Sequence, residues 1–230
     1  MRFEILPDAD AVARRAAAFV ASEARAAVAA RGRFVVAVSG GTTPWQMLRA
    51  LAAEDVPWGS VYLLQVDERV APDGHPDRNL THIRESLAGV PLRPEQLLAM
   101  PVNEPDLDAA AVQYARALAS VAGSPAVFDL VHLGLGPDGH TASLVPGDAA
   151  LDVTDRDVAA TGVYQGRRRM TLTYPALDRA RQILWLATGA GKAEMLARLR
   201  DADPTIPGGR VNPARATVLA DAPAAARLGG

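Results

Sequence analysis

The sequence predicts an α/β fold: a mostly parallel, Rossmann-like sheet with helices on both faces, plus a small antiparallel β-hairpin region. Short apolar runs alternate with helical patterns through residue 150, which is the arrangement of consecutive β-α units. Beyond Gly147 the pattern changes to two β-rich runs separated by a turn, which predicts a hairpin. The 230 residues contain no linker-like segment and no repeat, so we expect a single domain over 1–230.

Composition and charge limit the classes of function. A net charge of -2 offers no basic face for nucleic acid, and the absence of cysteine excludes disulfides and thiol chemistry. Met1–Pro7 lacks the apolar core of a signal peptide, and no run approaches the ~18 apolar residues that a membrane span needs. We therefore expect a cytoplasmic monomer that binds neither nucleic acid nor a membrane.

The amino-terminal part is predicted to form a covering helix, a central strand and a second helix. Ala9–Arg31 carries apolar residues at helical spacing, and Gly32 ends that helix. Phe34–Val38 is short, wholly apolar and β-rich, which is typical of a strand covered on both faces. Pro44 suits the first turn of the next helix.

The turn between that strand and the second helix has the composition of an anion site. Free backbone N–H groups, the positive end of a helix dipole and three hydroxyls come together in Ser39-Gly40-Gly41-Thr42-Thr43-Pro44. No Gly-Lys-Ser/Thr follows, so this is not a nucleoside-triphosphate loop, and a phosphate monoester fits better. An ordinary, well-capped turn is the alternative.

The next strand, Val61–Val66, delivers the charged residues Asp67–Arg69 to the sheet edge where open α/β sheets bind ligands. In the polar loop that follows, Asp73, His75 and Asp77 alternate but lack a coherent ligand pattern. Glycine and proline between them are turn residues, so we predict no metal there. Three elements continue the chain: a helix at Leu80–Leu87, an irregular strand at Gln96–Met100 and a helix at Leu107–Val121.

The strongest functional signal is a glycine-rich turn after the buried strand Phe128–Leu133. It carries His140, whose charge can change near neutral pH. The spacing Gly134-x-Gly136-x-x-Gly139 matches a dinucleotide-binding fingerprint. However, Asp138 would place a carboxylate beside the pyrophosphate of a bound dinucleotide, and Pro137 removes an N–H donor. We favour a sharp turn that projects Asp138 and His140 into a pocket. In the alternative, His140 only caps a helix that starts at Thr141.

The last third contains the predicted hairpin and a second glycine-rich helix start. Asp157–Tyr164 and Arg169–Tyr174 are the two β-rich runs, with the Arg169 side chain at the start of the second. Lys192 lies in the first turn of a helix that runs through Leu199, where an ammonium suits an anion. The remaining predicted elements are a helical turn at Pro175–Ala180, a buried strand at Gln182–Ala187, a strand at Thr217–Leu219 and a short Ala-rich helix near the end.

Parallel topology brings the loops after these strands to one edge of the sheet. Those loops carry Gly40, Gly41, Arg69, His140 and Lys192. Their convergence predicts a pocket that combines a base with several anion-binding groups.

Five segments of the chain form an ordered set of motifs: Ser39–Pro44, Asp67–Arg69 with Asn79, Leu133–Gly147, Arg169–Thr173 and Gly189–Ala193. In this order they resemble the 6-phosphogluconolactonases, and the resemblance covers Val38 to about Leu199. Two departures are visible: Arg78 stands where the family usually has Ser, and Val145 where it usually has Phe.

The resemblance implies hydrolysis of 6-phospho-D-glucono-1,5-lactone to 6-phosphogluconate, the second step of the oxidative pentose phosphate pathway. It also implies a sugar phosphate lactone as partner and neither metal nor organic cofactor. We expect a catalytic set of His140 as general base, Asp138 as its orienting group and Arg69 as oxyanion stabiliser. The expected substrate-binding set is Ser39, Gly40, Gly41, Thr42, Asn79, Arg169 and Lys192.

Three alternatives stay open. The related glucosamine-6-phosphate deaminases share the fold. Arg69 and the segment Thr141–Pro146, however, match the pattern of the lactonases rather than that of the deaminases. An acyl-enzyme route would use Ser143 with His140, without a Gly-x-Ser-x-Gly elbow. A sugar-phosphate sensor would need the anion site but no base.

Overall fold

The computed structural model describes residues 1–229, which form a seven-stranded parallel sheet and a three-stranded antiparallel sheet. The strands are β1 (Arg2–Leu6), β2 (Phe34–Val38), β3 (Val61–Gln65), β4 (Asp67–Arg69), β5 (Leu97–Leu98), β6 (Leu130–Gly134), β7 (Val158–Ala160), β8 (Arg169–Leu172), β9 (Ile183–Ala187) and β10 (Ala216–Asp221). The helices are α1 (Ala9–Arg31), α2 (Thr42–Leu51), α3 (Asn79–Ser86), α4 (Leu107–Ala122), α5 (Tyr174–Asp178) and α6 (Ala193–Arg200).

The order of the large sheet is β1-β10-β9-β6-β2-β3-β5, with every neighbouring pair parallel. From β2 the chain proceeds to β3 on one side, whereas β6 and β9 lie on the other side. The strand order therefore reverses between β2 and β6. In open α/β sheets ligands bind in the crevice at such a point, beyond the carboxyl ends of the strands.

Helices cover both faces of the large sheet, which confirms the predicted fold class. One buried cluster joins α1, α2 and α3 to one face, and a second joins α4, α5, α6 and the small sheet to the other. All five residues of β2 are buried, as expected of a strand with helices on both sides. None of the helices in 1–229 has the length and apolarity needed to cross a membrane.

The small sheet is larger than the predicted hairpin. β7 and β8 pair antiparallel, and β4 joins them so that Arg69 faces Arg169 and Asp67 faces Thr171. Val66 is the transfer point, because its N–H donates to the carbonyl of Val38 in the large sheet and its carbonyl accepts from the N–H of Leu172. The charged segment 67–69 is therefore a strand at the edge of the crevice rather than a loop.

One open alternative is decided by the structure, and local details differ from the sequence prediction at three places. Residues 141–144 form a turn closed by paired backbone groups of Thr141 and Leu144, so His140 does not cap a helix. The first hairpin strand is confined to β7, and residues 222–229 form turns instead of a short helix. The edge strand β1, which had not been predicted, pairs with β10 from the opposite end of the chain.

Candidate active site

A cleft of about 170 Å³ lies at the carboxyl ends of β2 and β6, at the point where strand order reverses. An adjoining compartment of about 290 Å³ contains the glycine turn of α2, and the two share Gly40, Gly134, Leu135 and Lys192. The cleft is lined by Ser39, Gly40, Asp67, Arg69, Gly134, Leu135, Gly136, Pro137, His140, Ala142, Arg169 and Lys192.

The loop after β6 holds His140 and Asp138 together. The N–H of Gly136 donates to the carbonyl of His140 (2.7 Å), and the N–H of Gly139 donates back to the carbonyl of Gly136 (3.1 Å). A β-carbon at Gly136 would overlap the His140 ring, so only glycine leaves room for it. Nδ1 of His140 lies 2.5 Å from Oδ1 of Asp138, and the imidazole keeps 20% of its surface exposed to the cleft.

The carboxyl of Asp138 has a second partner, which sequence analysis missed. The hydroxyl of Tyr164, in the hairpin turn, donates to Oδ2 of Asp138 at 3.0 Å. Burial acts to raise the pKa of Asp138, but hydrogen bonds from His140 and Tyr164, with the attraction of the imidazole, hold that pKa below its usual value. Asp138 is therefore an ionised acceptor at neutral pH. A contact between residues 26 positions apart left no local signal in the sequence.

Three cationic side chains reach the cleft from different elements. Arg69 donates through NH1 to the carbonyl of Asp77 (2.8 Å), and Arg169 donates through NH2 to Oε1 of Gln165 (3.2 Å). The Nε atoms of both arginines are buried without a hydrogen-bond partner within residues 1–229. Burial lowers the pKa of Arg169 and of Lys192, against the attraction of nearby carboxylates. Such partly desolvated cations favour an anionic ligand.

Hydrogen bonds between Ser39 and His132 attach the glycine turn to β6. The N–H of Ser39 donates to Nδ1 of His132 (3.2 Å), and Oγ of Ser39 donates to the carbonyl of His132 (3.1 Å). The hydroxyl proton of Ser39 is thus engaged with β6, and a contact of Ser39 with substrate stays a prediction. Thr42 is exposed in the adjoining compartment, and Gly41 has φ 132°, which suits glycine at the start of α2.

Asn79 lies behind the cleft wall rather than on it. Its side-chain amide donates to the carbonyl of Asp67 (2.9 Å), and a β-carbon at Gly40 would overlap its oxygen. Asn79 is fully buried, so the structure places it as a support of the glycine turn and of β4. The substrate contact that the resemblance implies for Asn79 stays a prediction.

The departure at position 78 is also buried. Nε of Arg78 lies 3.0 Å from Oε2 of Glu68, and neither side chain has more than 3% of its surface exposed. The carboxylate of Glu68 further accepts from the N–H groups of Arg69, Asn79 and Leu80, each at 2.8 Å. Arg78 therefore stabilises the loop behind the cleft, and Val145 is likewise a core residue. Neither departure forms the cleft wall.

In the loop after β4, the side chains of Asp73, His75 and Asp77 make ion pairs and turn contacts. Asp73 pairs with Arg84 at 3.1 Å, and Asp77 pairs with Arg167 at 2.6 Å. Nδ1 of His75 accepts from the N–H of Asp77. Within residues 1–229, no group of three or more His, Cys, Asp or Glu side chains is placed to hold a metal ion.

Comparison with known proteins gives the same family by sequence and by fold. Residues 7–220 match the family model described as Glucosamine-6-phosphate isomerases/6-phosphogluconolactonase. A 6-phosphogluconolactonase from Mycobacterium tuberculosis is 37% identical over an alignment of 240 positions, which covers 98% of this chain and 97% of that protein. One from Synechocystis sp. is 36% identical over 208 residues, 87% of this chain and 86% of that protein. The crystal structure of a 6-phosphogluconolactonase from Thermotoga maritima has a TM-score of 0.84 at 25% identity, covering 96% of this chain and 98% of that one.

Proposed function

The chain belongs to the glucosamine-6-phosphate isomerase/6-phosphogluconolactonase family, and we propose that a water molecule activated by His140 hydrolyses 6-phospho-D-glucono-1,5-lactone in its cleft. The product is 6-phospho-D-gluconate, as in the second step of the oxidative pentose phosphate pathway. The single observation that carries the mechanism is that the imidazole paired with Asp138 opens onto the same cleft as Arg69, Arg169 and Lys192. One chain supplies every group that the reaction needs, so the proposal requires neither a metal nor a second subunit.

The base is the Nε2 atom of His140. An ionised carboxylate can only accept, so in the neutral imidazole the proton lies on Nδ1, where it is donated to Asp138, and Nε2 is the acceptor. Nε2 then takes a proton from water as the oxygen of that water attacks the lactone carbonyl. A positioned base of this kind contributes on the order of 10² to 10⁴ in rate.

Charge that develops on the carbonyl oxygen is stabilised by a guanidinium. Arg69 lines the same cleft as His140, and its Nε has no hydrogen-bond partner in residues 1–229. Its charge is fixed before the reaction, so stabilisation of the tetrahedral intermediate needs little reorganisation. When the intermediate collapses, the ring C–O bond breaks and the leaving oxygen takes the proton from Nε2. The new carboxylic acid then ionises and releases a proton.

The phosphate occupies the junction of the two compartments. Gly40 lies on both, and the N–H groups of Gly40 and Gly41 stand near the amino terminus of α2. Lys192 also borders both compartments, and Arg169 and Thr42 each border one of them. Anchoring the phosphate there holds the carbonyl at a fixed distance from His140, which converts binding into orientation.

Acid release and ammonia release separate this function from its rivals. Freshly prepared 6-phosphogluconolactone should give acid release above the spontaneous rate, and glucosamine 6-phosphate should give no ammonia. Ammonia release would instead indicate the deaminase alternative. Binding of either sugar phosphate with neither product would indicate a sensor.

A further inference from the structure

The hairpin turn between β7 and β8 carries an aromatic side chain to the cleft. The N–H of Tyr164 donates to the carbonyl of Arg167 (2.9 Å), and the N–H of Arg167 donates back at 3.3 Å. Gln165 and Gly166 between them have φ 51° and 79°, as in the two-residue turns that match strand twist. Nε of Arg167 donates to Asp77 (2.6 Å), which fastens the turn to the opposite loop. The backbone position of Tyr164 is therefore fixed by the hydrogen bonds of the turn and by the contact of Arg167 with Asp77.

The Tyr164 hydroxyl and the His140 ring use different oxygens of one carboxylate. Oδ2 of Asp138 accepts from the hydroxyl at 3.0 Å, and Oδ1 lies 2.5 Å from Nδ1 of His140. The tyrosine and imidazole rings meet edge to face, with centroids 5.4 Å apart and planes at 67°. The carboxylate is thus held at both ends, and the imidazole is contacted on a further side by the tyrosine ring.

The same tyrosine ring contacts one of the cations. The guanidinium carbon of Arg169 lies 5.0 Å from the centroid of the Tyr164 ring, and its NH2 donates to the neighbouring Gln165. A guanidinium over an aromatic face at this distance is attracted by the ring quadrupole. The Tyr164 side chain therefore contacts both the His140–Asp138 pair and the Arg169 cation on the cleft wall.

We infer that Tyr164 is a positioning residue for the reaction: its hydroxyl fixes the Asp138 carboxylate, which in turn fixes the tautomer and orientation of His140. The inference rests on the proposed function. Asp138 keeps 35% of its side-chain surface exposed, and without the hydroxyl its carboxylate is held only through Oδ1, by Nδ1 and the backbone N–H of His140. Burial and the adjacent carboxylate raise the pKa of Tyr164, so its hydroxyl remains a donor at neutral pH. A group that orients the base acts on the chemical step rather than on substrate binding.

The replacement Tyr164→Phe removes the hydroxyl and keeps the ring under Arg169. We expect kcat on fresh 6-phosphogluconolactone to fall about tenfold, as for loss of a hydrogen bond to a charged group, with KM changed less than about twofold. Tyr174→Phe is the matched control. Its hydroxyl donates to the carbonyl of Pro207 (2.9 Å) and its ring lies 4.7 Å from the Arg210 guanidinium, but it does not line the cleft. Its kcat should equal that of the wild type.

The same replacement in an Asp138→Ala background tests the route of action. There Tyr164→Phe should lower kcat less than it does in the wild-type background, because the carboxylate is gone and the hydroxyl keeps only its 3.4 Å contact with Nδ1 of His140. An equal tenfold loss in both backgrounds would overturn the inference.

A ¹⁵N NMR spectrum of the His140 ring gives a readout that needs no turnover. The wild type should show the proton on Nδ1, and Tyr164→Phe should show a mixture of tautomers. Identical ring signals together with unchanged kcat would overturn the role of Tyr164. A wild type that fails to hydrolyse the lactone would overturn the proposed function alone, because the NMR comparison would still report whether the hydroxyl fixes His140.

Discussion

Oγ of Ser143 donates a 2.6 Å hydrogen bond to Oδ2 of Asp67, although Ser143 lies only three residues after His140. The N–H of Ser143 also donates to Oγ1 of Thr171 in β8, and the serine side chain is fully buried. The serine therefore links the loop after β6 to the small sheet. Its proton is committed to a carboxylate rather than to the imidazole, which favours water over serine as the nucleophile.

A Ser143→Ala variant should keep most of its turnover. We expect kcat to fall by less than about tenfold, because Asp67 loses one donor while the base and the cations remain. Loss of a true serine nucleophile lowers kcat on the order of 10⁶. Steady-state kinetics on fresh lactone distinguish the two results, and a fall beyond about 10³ in a folded variant would contradict the water mechanism.

A Lys192→Ala variant should lose recognition of the phosphate. We expect KM for the phosphorylated lactone to rise about tenfold to a hundredfold, because a charged hydrogen bond to the phosphate is lost. Rates on unphosphorylated glucono-1,5-lactone should stay nearly equal to those of the wild type. Equal losses on both lactones would contradict the assignment of Lys192 to the phosphate.

Lys192 also offers a direct control, since it is the only lysine of the chain. Apart from the amino terminus, an amine-reactive acylating reagent can therefore report on this cleft alone. Saturating 6-phosphogluconate should protect Lys192 from acylation, as measured by peptide mass spectrometry. Equal labelling with and without the product would also argue against the phosphate site.

Much of the fold could be predicted because single helices and strands have recognisable local patterns of apolar residues. The fully buried run of β2 and the capped pattern of α1 carry their own periodicity, and alternation of such units implies a parallel sheet. β1 and β4 lacked such a signal because each is defined by a distant partner. β4 has three residues and exists through its pairing with β8, about 100 positions later.

The candidate site followed the same division. The sequence located His140, Arg69 and Lys192 because each follows a strand of the large sheet, and topology brings those ends together. It could not locate Tyr164, whose position depends on how the hairpin folds back over the loop after β6. It could not show that Asn79 is buried behind Gly40, because that burial depends on packing that no spacing reveals.

An Arg78→Ala variant should lower stability without altering the cleft wall. Removal of one partner leaves the buried Glu68 carboxylate without its cation, which we expect to lower the free energy of unfolding by about 3 kcal/mol. The matched control is Arg84→Ala, because the Arg84–Asp73 pair is exposed and should contribute less than ~1 kcal/mol. Urea unfolding of both variants measures the difference. Equal midpoints would show that the buried pair contributes no more than the exposed one.

His132 should make stability depend on pH in mildly acidic solution. Burial lowers its pKa from 6.5 to about 3, so between these values the unfolded chain binds one proton more than the folded chain. The free energy of unfolding should therefore decrease as pH falls from 6.5, with this histidine contributing roughly 1 kcal/mol per pH unit between pH 6 and pH 5. His132→Gln should flatten the slope by that amount in urea titrations. An unchanged slope would mean that His132 is protonated in the folded state.

The most direct test of the central claim is acid release from fresh 6-phosphogluconolactone by His140→Ala, corrected for spontaneous hydrolysis. His82→Gln, which alters a histidine outside the cleft, is the control. Loss of the base should lower kcat by about 10² to 10⁴, while the dissociation constant for 6-phosphogluconate stays within about twofold. A folded His140→Ala protein that turns over the lactone as fast as the wild type would contradict the assignment of His140 as the base.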